Sequence, residues 1–367
     1  MKIALIIYGS LDTVSGGYLY DRKLVEHLHL NGHTVDIHSL PWRRYLEHLR
    51  DNFFSPLLRD LVTREYDLVL QDELNHPSLF RFNHTLKSFI DAPIISIVHH
   101  LRIDEPWKPF ERWCYTQVEK AYLNSVDGFI FNSETTRQSV EALIDEPKPY
   151  VVGLPAGDRF ANTMADIATD KSMLSGKLKL LFVGNLIPRK GLETLLNACR
   201  QLPAGKWELD IVGNPDAERA YADHCKEIVE SIPRLRAAVR FYGSLSHEQL
   251  AIRYSLNHLI VVPSEYEGFG IVYLEGMGFG LPAIASTAGA AAEIIEDGQN
   301  GFLVPPSDPN ALAKVIISLI NDRAWLNQLS DNAQRTFDQF PKWEQTCTVI
   351  ERFLLSQVET SAKQPSN

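Results

Sequence analysis

From end to end the sequence alternates short apolar runs rich in Val, Ile and Leu with amphipathic stretches. The runs lack period-two alternation, so both faces must be covered, which suits parallel strands lying between helices. In the first half they fall at 3–8, 34–38, 68–70, 94–98, 128–131 and 150–152, with helical stretches such as 18–30, 109–123 and 134–143 between them. A second series falls at 178–183, 208–212, 239–242, 259–262, 282–285 and 302–304, with helices that include 192–201, 247–254 and 310–320. Each series specifies an open, doubly wound α/β sheet. Between them, 161–176 is polar and small with no apolar period, as a linker should be. The expectation is two facing Rossmann-like domains with an inter-domain cleft. A helical stretch at 343–358 is expected to cross back onto the first domain, and 360–367 reads as disordered.

At 367 residues the chain is too long for one ordinary core. Its 36 Lys and Arg against 46 Asp and Glu leave a net charge of −10, and no long basic run offsets it. Such a chain is a poor partner for nucleic acid. Cys114, Cys199, Cys225 and Cys347 lie far apart and make no Cys-x-x-Cys pair, so they read as free thiols in a reducing compartment, with no structural zinc. No stretch approaches the ~20 apolar residues that span a bilayer. The apolar start reads as a buried first strand rather than a signal peptide, because it stops at Gly9 and lacks a cleavage-like site. The expected location is the cytoplasm, with the inner face of the membrane as the alternative.

Doubly wound domains bind ligands beyond the carboxyl ends of their strands. The candidate motifs stand there. After the first strand come Gly9 and then Gly16-Gly17 before a helix, a turn that lets backbone amides approach a phosphate. The spacing is not Gly-x-Gly-x-x-Gly, so the dinucleotide fingerprint is absent, and a plain glycine turn is the bland alternative. His99-His100 follows the fourth strand, and only one of the pair can keep the strand's inward direction. Gly184-Asn185 ends the first strand of the second half, and Arg189-Lys190-Gly191 precedes a helix, a combination that makes an anion site. The strongest signal runs from Pro263 to Met277. It sets Glu267 and Glu275 eight residues apart around Gly268-Phe269-Gly270-Ile271, immediately after a buried strand.

These residues resemble a family 4 retaining glycosyltransferase with the GT-B fold. The most specific part is 264–282, similar to the family's Glu-x7-Glu signature followed by Gly280-Leu281-Pro282. Gly16-Gly17, Gly32-His33, Gly157-Asp158, Arg189-Lys190-Gly191, Gly289 to Glu293 and the segment from Asp297 to Val304 match in the same order.

The resemblance implies an acceptor-binding domain at 1–165 and a nucleotide-sugar domain at 172–340. It implies that Arg189 and Lys190 neutralise the donor diphosphate, that Glu267 and the Gly268, Phe269, Gly270 and Ile271 segment hold sugar hydroxyls, and that Glu275 holds the ribose diol. The base is expected near Gly213 and Leu245, and Gly16 and Gly17 over the diphosphate. His99 matches the family's crevice histidine, with His100 as the fallback. Retention without a clear carboxylate nucleophile favours front-face displacement. The chain contains no Asp-x-Asp, and no metal or other cofactor is expected. Asn185 stands where many relatives carry arginine, and Gly276 and Gly278 where they often carry alanine.

The acceptor is expected to be a saccharide or a lipid-linked sugar, in cell-envelope glycan or glycolipid synthesis. Segment 41–64 carries five arginines against three acids, interleaved with Trp42, Tyr45, Phe53 and Phe54, and Trp107, Phe110 and Trp113 follow later. It reads as an amphipathic helix packed on the sheet, the alternative being weak peripheral membrane contact. Among rival functions, nothing resembles a phosphorylase's cofactor lysine, and the Glu-x7-Glu context argues against an epimerase. A catalytically weak sugar-nucleotide-binding or scaffold protein is the alternative that Asn185 motivates.

Overall fold

The computed structural model describes residues 1–53, 56–161 and 176–363. Phe54, most of the expected linker (162–175) and the last residues of the expected tail (364–367) lie outside them.

Two units divide the chain, Met1–Pro155 with Trp343–Asn367, and Ala156–Lys342. In the first, β1 (Lys2–Tyr8), β2 (Thr34–Leu40), β3 (Leu68–Asp72), β4 (Ile94–Val98), β5 (Gly128–Phe131) and β6 (Tyr150–Val152) form one sheet in the order β2-β1-β3-β4-β5-β6. Every pairing is parallel. All five residues of β3 and of β4 are buried, as the continuous apolar runs require of strands covered on both faces. The helix Gly16–Leu30 starts where the Ser15 hydroxyl accepts from the Tyr18 amide. It buries Tyr18, Asp21, Leu24, Val25 and Leu28, a helical stripe that includes one acid. Strand order reverses at β1, so the loops after β1 and β3 diverge there and leave a natural crevice.

The second unit contains β7 (Leu178–Val183), β8 (Trp207–Val212), β9 (Val239–Gly243), β10 (Leu259–Val262), β11 (Ala283–Ser286) and β12 (Gly301–Val304), ordered β12-β11-β10-β7-β8-β9 and again parallel throughout. This is the dinucleotide-fold order, with its reversal between β7 and β10. The expected doubly wound α/β class therefore holds for both sheets.

Three sequence readings differ from the structure. Residues 156–161 pack within the second unit: Phe160 lies 4.3 Å from the His247 ring and 5.6 Å from that of Tyr254. A Cβ on Gly157 would meet the Leu274 backbone at 2.7 Å, so a glycine is needed there. The final helix runs from Trp343 to Ala362, four residues beyond the expected end, so Thr360 to Ala362 are helical rather than disordered. It packs on the first unit, with Thr346 Oγ1 donating to Leu154 O at 2.7 Å and Ser361 Oγ to Asp91 O at 2.7 Å. Segment 41–64 is not one helix. It forms the short helix Tyr45–His48, a 3-10 turn Leu49–Asn52 and the helix Pro56–Arg64, because Pro56 cannot continue a preceding helix.

Candidate functional site

In the second unit the loops after β7 and β10 meet at the order reversal. Pro188–Lys190 makes a 3-10 turn ended by Gly191 at φ +71. A Cβ on Gly191 would lie 2.0 Å from Pro263 O, so only glycine lets these two loops touch. The contact brings Lys190 Nζ to 2.6 Å from Glu267 Oε2, which also accepts from Ser264 Oγ at 3.0 Å. Arg189 donates to Tyr266 O at 3.0 Å, and its own carbonyl accepts from the Glu265 amide. The Glu267 carbonyl accepts from the Ala290 amide at 2.8 Å, and Gly289 sits so close that a Cβ would fall 2.1 Å from Glu267 O.

Burial alone would push the Glu267 carboxyl up, but Lys190, then Arg189, and the bonds from Lys190 and Ser264 outweigh it and hold the group below its ordinary range. Burial pulls Lys190 down, with Glu267 opposing and Arg189 reinforcing that shift. The site is thus a largely buried ion pair with a second cation beside it. A neutralised carboxylate can accept from hydroxyls, and two cations next to glycine turns can take an anion.

Gly268, Phe269, Gly270 and Ile271 are all buried. Gly270, at φ +101, precedes the helix Ile271–Gly278, and a Cβ there would strike the Tyr273 ring. Any contact from Phe269 or Ile271 must come through main-chain atoms, since both side chains pack inward. Gly184 and Gly213 press together, a Cβ on Gly213 falling 1.8 Å from Gly184 O. Asn185 continues that turn, and its carbonyl accepts from the Ile187 amide. Leu245 follows β9, which reaches the same edge through the Gly213 amide donating to Gly243 O.

Glu275 stands apart. It is 1 % exposed, its Oε1 lies 2.5 Å from Arg159 Nε, and its Oε2 accepts from Arg159 at 2.9 Å and from Tyr254 Oη at 2.8 Å. The carboxylate expected to be open to a diol is therefore occupied inside its own unit, and a diol could bind only in exchange for these bonds. Sequence reasoning missed Arg159 and Tyr254. The Gly157-Asp158 match standing directly before Arg159 was the available signal.

The first unit carries its own cluster where β1, β3 and β4 end. Gly17, in the first turn of the helix Gly16–Leu30, lies beside His99, a Cβ there falling 3.0 Å from the imidazole. His99 Nε2 lies 3.2 Å from Asp21 Oδ1, and Asp72 completes a close Asp21-Asp72-His99 group. Gly16 is exposed at the start of the helix. Burial would pull His99 down, but Asp21, then Asp72 and Glu73, push it up to about 9. Burial, with Asp21 next, pushes Asp72 up to about 7. His100 turns the other way, its Nε2 3.3 Å from Glu105 Oε1. Asp21 was legible in principle, being the one acid on the buried stripe of its helix.

Comparison with known proteins bears on both units. Residues 166–336 match the family of glycosyl transferases group 1. An uncharacterized glycosyltransferase of Methanocaldococcus jannaschii is 31% identical over 166 residues, 45% of this chain and 41% of that protein. The chain spans about half the length of the curated relatives it matches. Sucrose-phosphate synthase from Thermosynechococcus elongatus superposes with a TM-score of 0.81 at 24% identity, over 98% of this chain and 99% of that one. HepE of Anabaena, in complex with UDP and glucose, gives 0.75 at 19% identity over 97% and 100%. Residues 166–336 are thus similar to the group 1 glycosyl transferases, and the chain shares the GT-B fold of the solved structures it superposes on.

Proposed function

We propose that the chain is a retaining hexosyltransferase that moves a hexosyl group from a nucleotide-sugar to a saccharide or lipid-linked acceptor, in cell-envelope glycan or glycolipid synthesis. The observation that carries this reading is the Lys190–Glu267 ion pair with Arg189 beside it, at the order reversal of a unit similar to the group 1 glycosyl transferases. Arg189 and Lys190 neutralise the diphosphate as it departs, and stabilising that growing charge is usually the largest catalytic contribution. Glu267 and the amides of Gly268 to Ile271 hold sugar hydroxyls, and the turns at Asn185, Gly213 and Leu245 receive the nucleoside. Glu275 takes the ribose diol by exchanging its Arg159 and Tyr254 bonds. The UDP and glucose bound by the similar HepE support a donor of this class.

In the reacting step the anomeric carbon–oxygen bond to the diphosphate breaks and the acceptor oxygen bonds to that carbon from the same face. The acceptor's proton passes to the departing phosphate oxygen. A raised His99 supports its acting as a hydrogen-bond donor to the acceptor rather than as a base. No metal takes part, because the two cations supply the charge. Among the described residues no helix is long and apolar enough to cross a membrane, and a cytoplasmic site of action, at or near the membrane's inner face, fits the cysteine usage.

Nucleotide release from a panel of nucleotide-sugars tests the reading. Glu267→Gln, with far-UV circular dichroism unchanged, is expected to lower the rate about 100-fold or more, and EDTA to leave the wild-type rate unchanged. Release undiminished in Glu267→Gln, or abolished by EDTA and restored by Mn²⁺, would contradict it.

A further inference from the structure

At the same edge of the first unit, the 3-10 turn Arg102–Asp104 follows β4 and holds a cation that the donor chemistry does not use. The Arg102 guanidinium carbon lies 5.0 Å from the Tyr45 ring centroid and 4.6 Å from those of Trp107 and Tyr115. Its backbone is pinned as well: the amide donates to Glu119 Oε1 at 2.7 Å, and the carbonyl accepts from Trp107 Nε1 at 2.7 Å. Tyr45 is fixed in turn by a 3.1 Å hydrogen bond between its hydroxyl and His76 Nε2.

A guanidinium caged by three aromatic faces loses little freedom on binding and presents its planar fork in one orientation. Among the described residues no carboxylate lies within ion-pair distance of it, and its Nε is buried without a hydrogen-bond partner. The acids beneath do not neutralise it. Burial pushes Glu73 up to about 8 and Glu119 well above the carboxylate range, and Glu119 gives its oxygens to the Arg102 and Ile103 amides. Burial also holds His76 near 4, so it is neutral. Arg102 and its three aromatic partners are all partly exposed, so a ligand can reach them.

We propose that Arg102 in its Tyr45, Trp107 and Tyr115 cage binds an oxyanion of the phosphate class carried by the acceptor. This rests on the acceptor-binding reading of the first unit and names a chemical group that the acceptor bears. Such a group can arrive on a free sugar phosphate or on a lipid headgroup. Phe110 and Trp113, 75 % and 60 % exposed on the helix that carries Tyr115, would meet the apolar part of a lipid.

The test uses the full chain, Arg102→Gln and Arg102→Lys, with unchanged circular dichroism as the folding control. Glucose 6-phosphate and inorganic phosphate are titrated by calorimetry, and co-sedimentation is measured with phosphatidylcholine vesicles with and without phosphatidic acid. Arg102→Gln is expected to weaken binding about tenfold or more. Arg102→Lys is expected to weaken it several-fold, because an ammonium lacks the fork. Dependence on Arg102 seen with a soluble phosphate means the group arrives free; dependence seen only with phosphatidic acid vesicles means it is lipid-borne. Binding that persists in Arg102→Gln and disappears in Lys190→Ala belongs to the second unit and overturns the inference, as does the absence of Arg102-dependent binding of every probe. Nucleotide-sugar binding by the unaltered chain is read separately, so a chain that binds donor but fails here loses this inference alone.

Discussion

His99 shows how a single side chain's charge is set by its neighbours. Burial disfavours the imidazolium, yet Asp21, Asp72 and Glu73 together raise it to about 9, above the ordinary value of about 6.5. A raised histidine contributes stability that is fully present below about pH 6.5 and lost as pH rises through about 9. Removing it leaves the buried Asp21 without its cationic partner. His99→Gln is therefore expected to cost about 3 kcal/mol below about pH 6.5, and the gap from wild type is expected to close as pH passes about 9. Urea unfolding across that range measures it, and a pH-independent gap would contradict the assignment. At this scale the sequence was informative about residue type and silent about pairing. The position after a buried strand marked His99, and alternation separated it from His100, but nothing local to β4 said that an acid from the helix Gly16–Leu30 would face it. Glu275 illustrates the converse. Its spacing from Glu267 was legible, while the Arg159 and Tyr254 bonds that occupy it come from segments 116 and 21 residues away.

At the scale of elements, strands were the most legible feature, because unbroken apolar runs admit few other structures in a chain this long. Their ends differ by a residue or two, as hydrogen-bonded boundaries do from apolar ones. The final helix was harder to bound, since its last turn is polar and its partners are distant. Glu351 ties it to the helix Gly16–Leu30 and the following turn, with Oε2 2.8 Å from His27 Nε2 and Oε1 2.8 Å from His33 Nε2. Burial would raise this carboxyl, but His33 and His27 outweigh it and hold it below its ordinary range. A depressed carboxylate contributes stability above its unfolded value, lost as pH falls through the folded one. Glu351→Gln is expected to cost about 1–2 kcal/mol near neutrality, a fall of roughly 2–8 °C in Tm, and less in acid. An unchanged Tm would mean that the apolar face around Ile350 and Leu354 alone holds the helix.

For the whole molecule, the two sheets obey one rule: the candidate site side chains gather where strand order reverses. In the first unit that is β1 beside β3, and in the second β7 beside β10. The place of both clusters is legible in the sequence, because the motifs stand at the ends of apolar runs. Domain membership was less readable. Residues 156–161 are too few to show a period, and Phe160 reveals its unit only through the rings it meets. The central claim is that the second unit holds a nucleotide-sugar through Lys190 and its partners. The most direct test is a thermal-shift screen of UDP, GDP and ADP with their hexose derivatives, on wild type and Lys190→Ala. A ligand at about 100 times its Kd adds about 2.7 kcal/mol of stability, a readily visible rise in Tm. The account predicts a rise with at least one nucleotide-sugar that Lys190→Ala abolishes; no rise with any of them, or an equal rise in the variant, would contradict it.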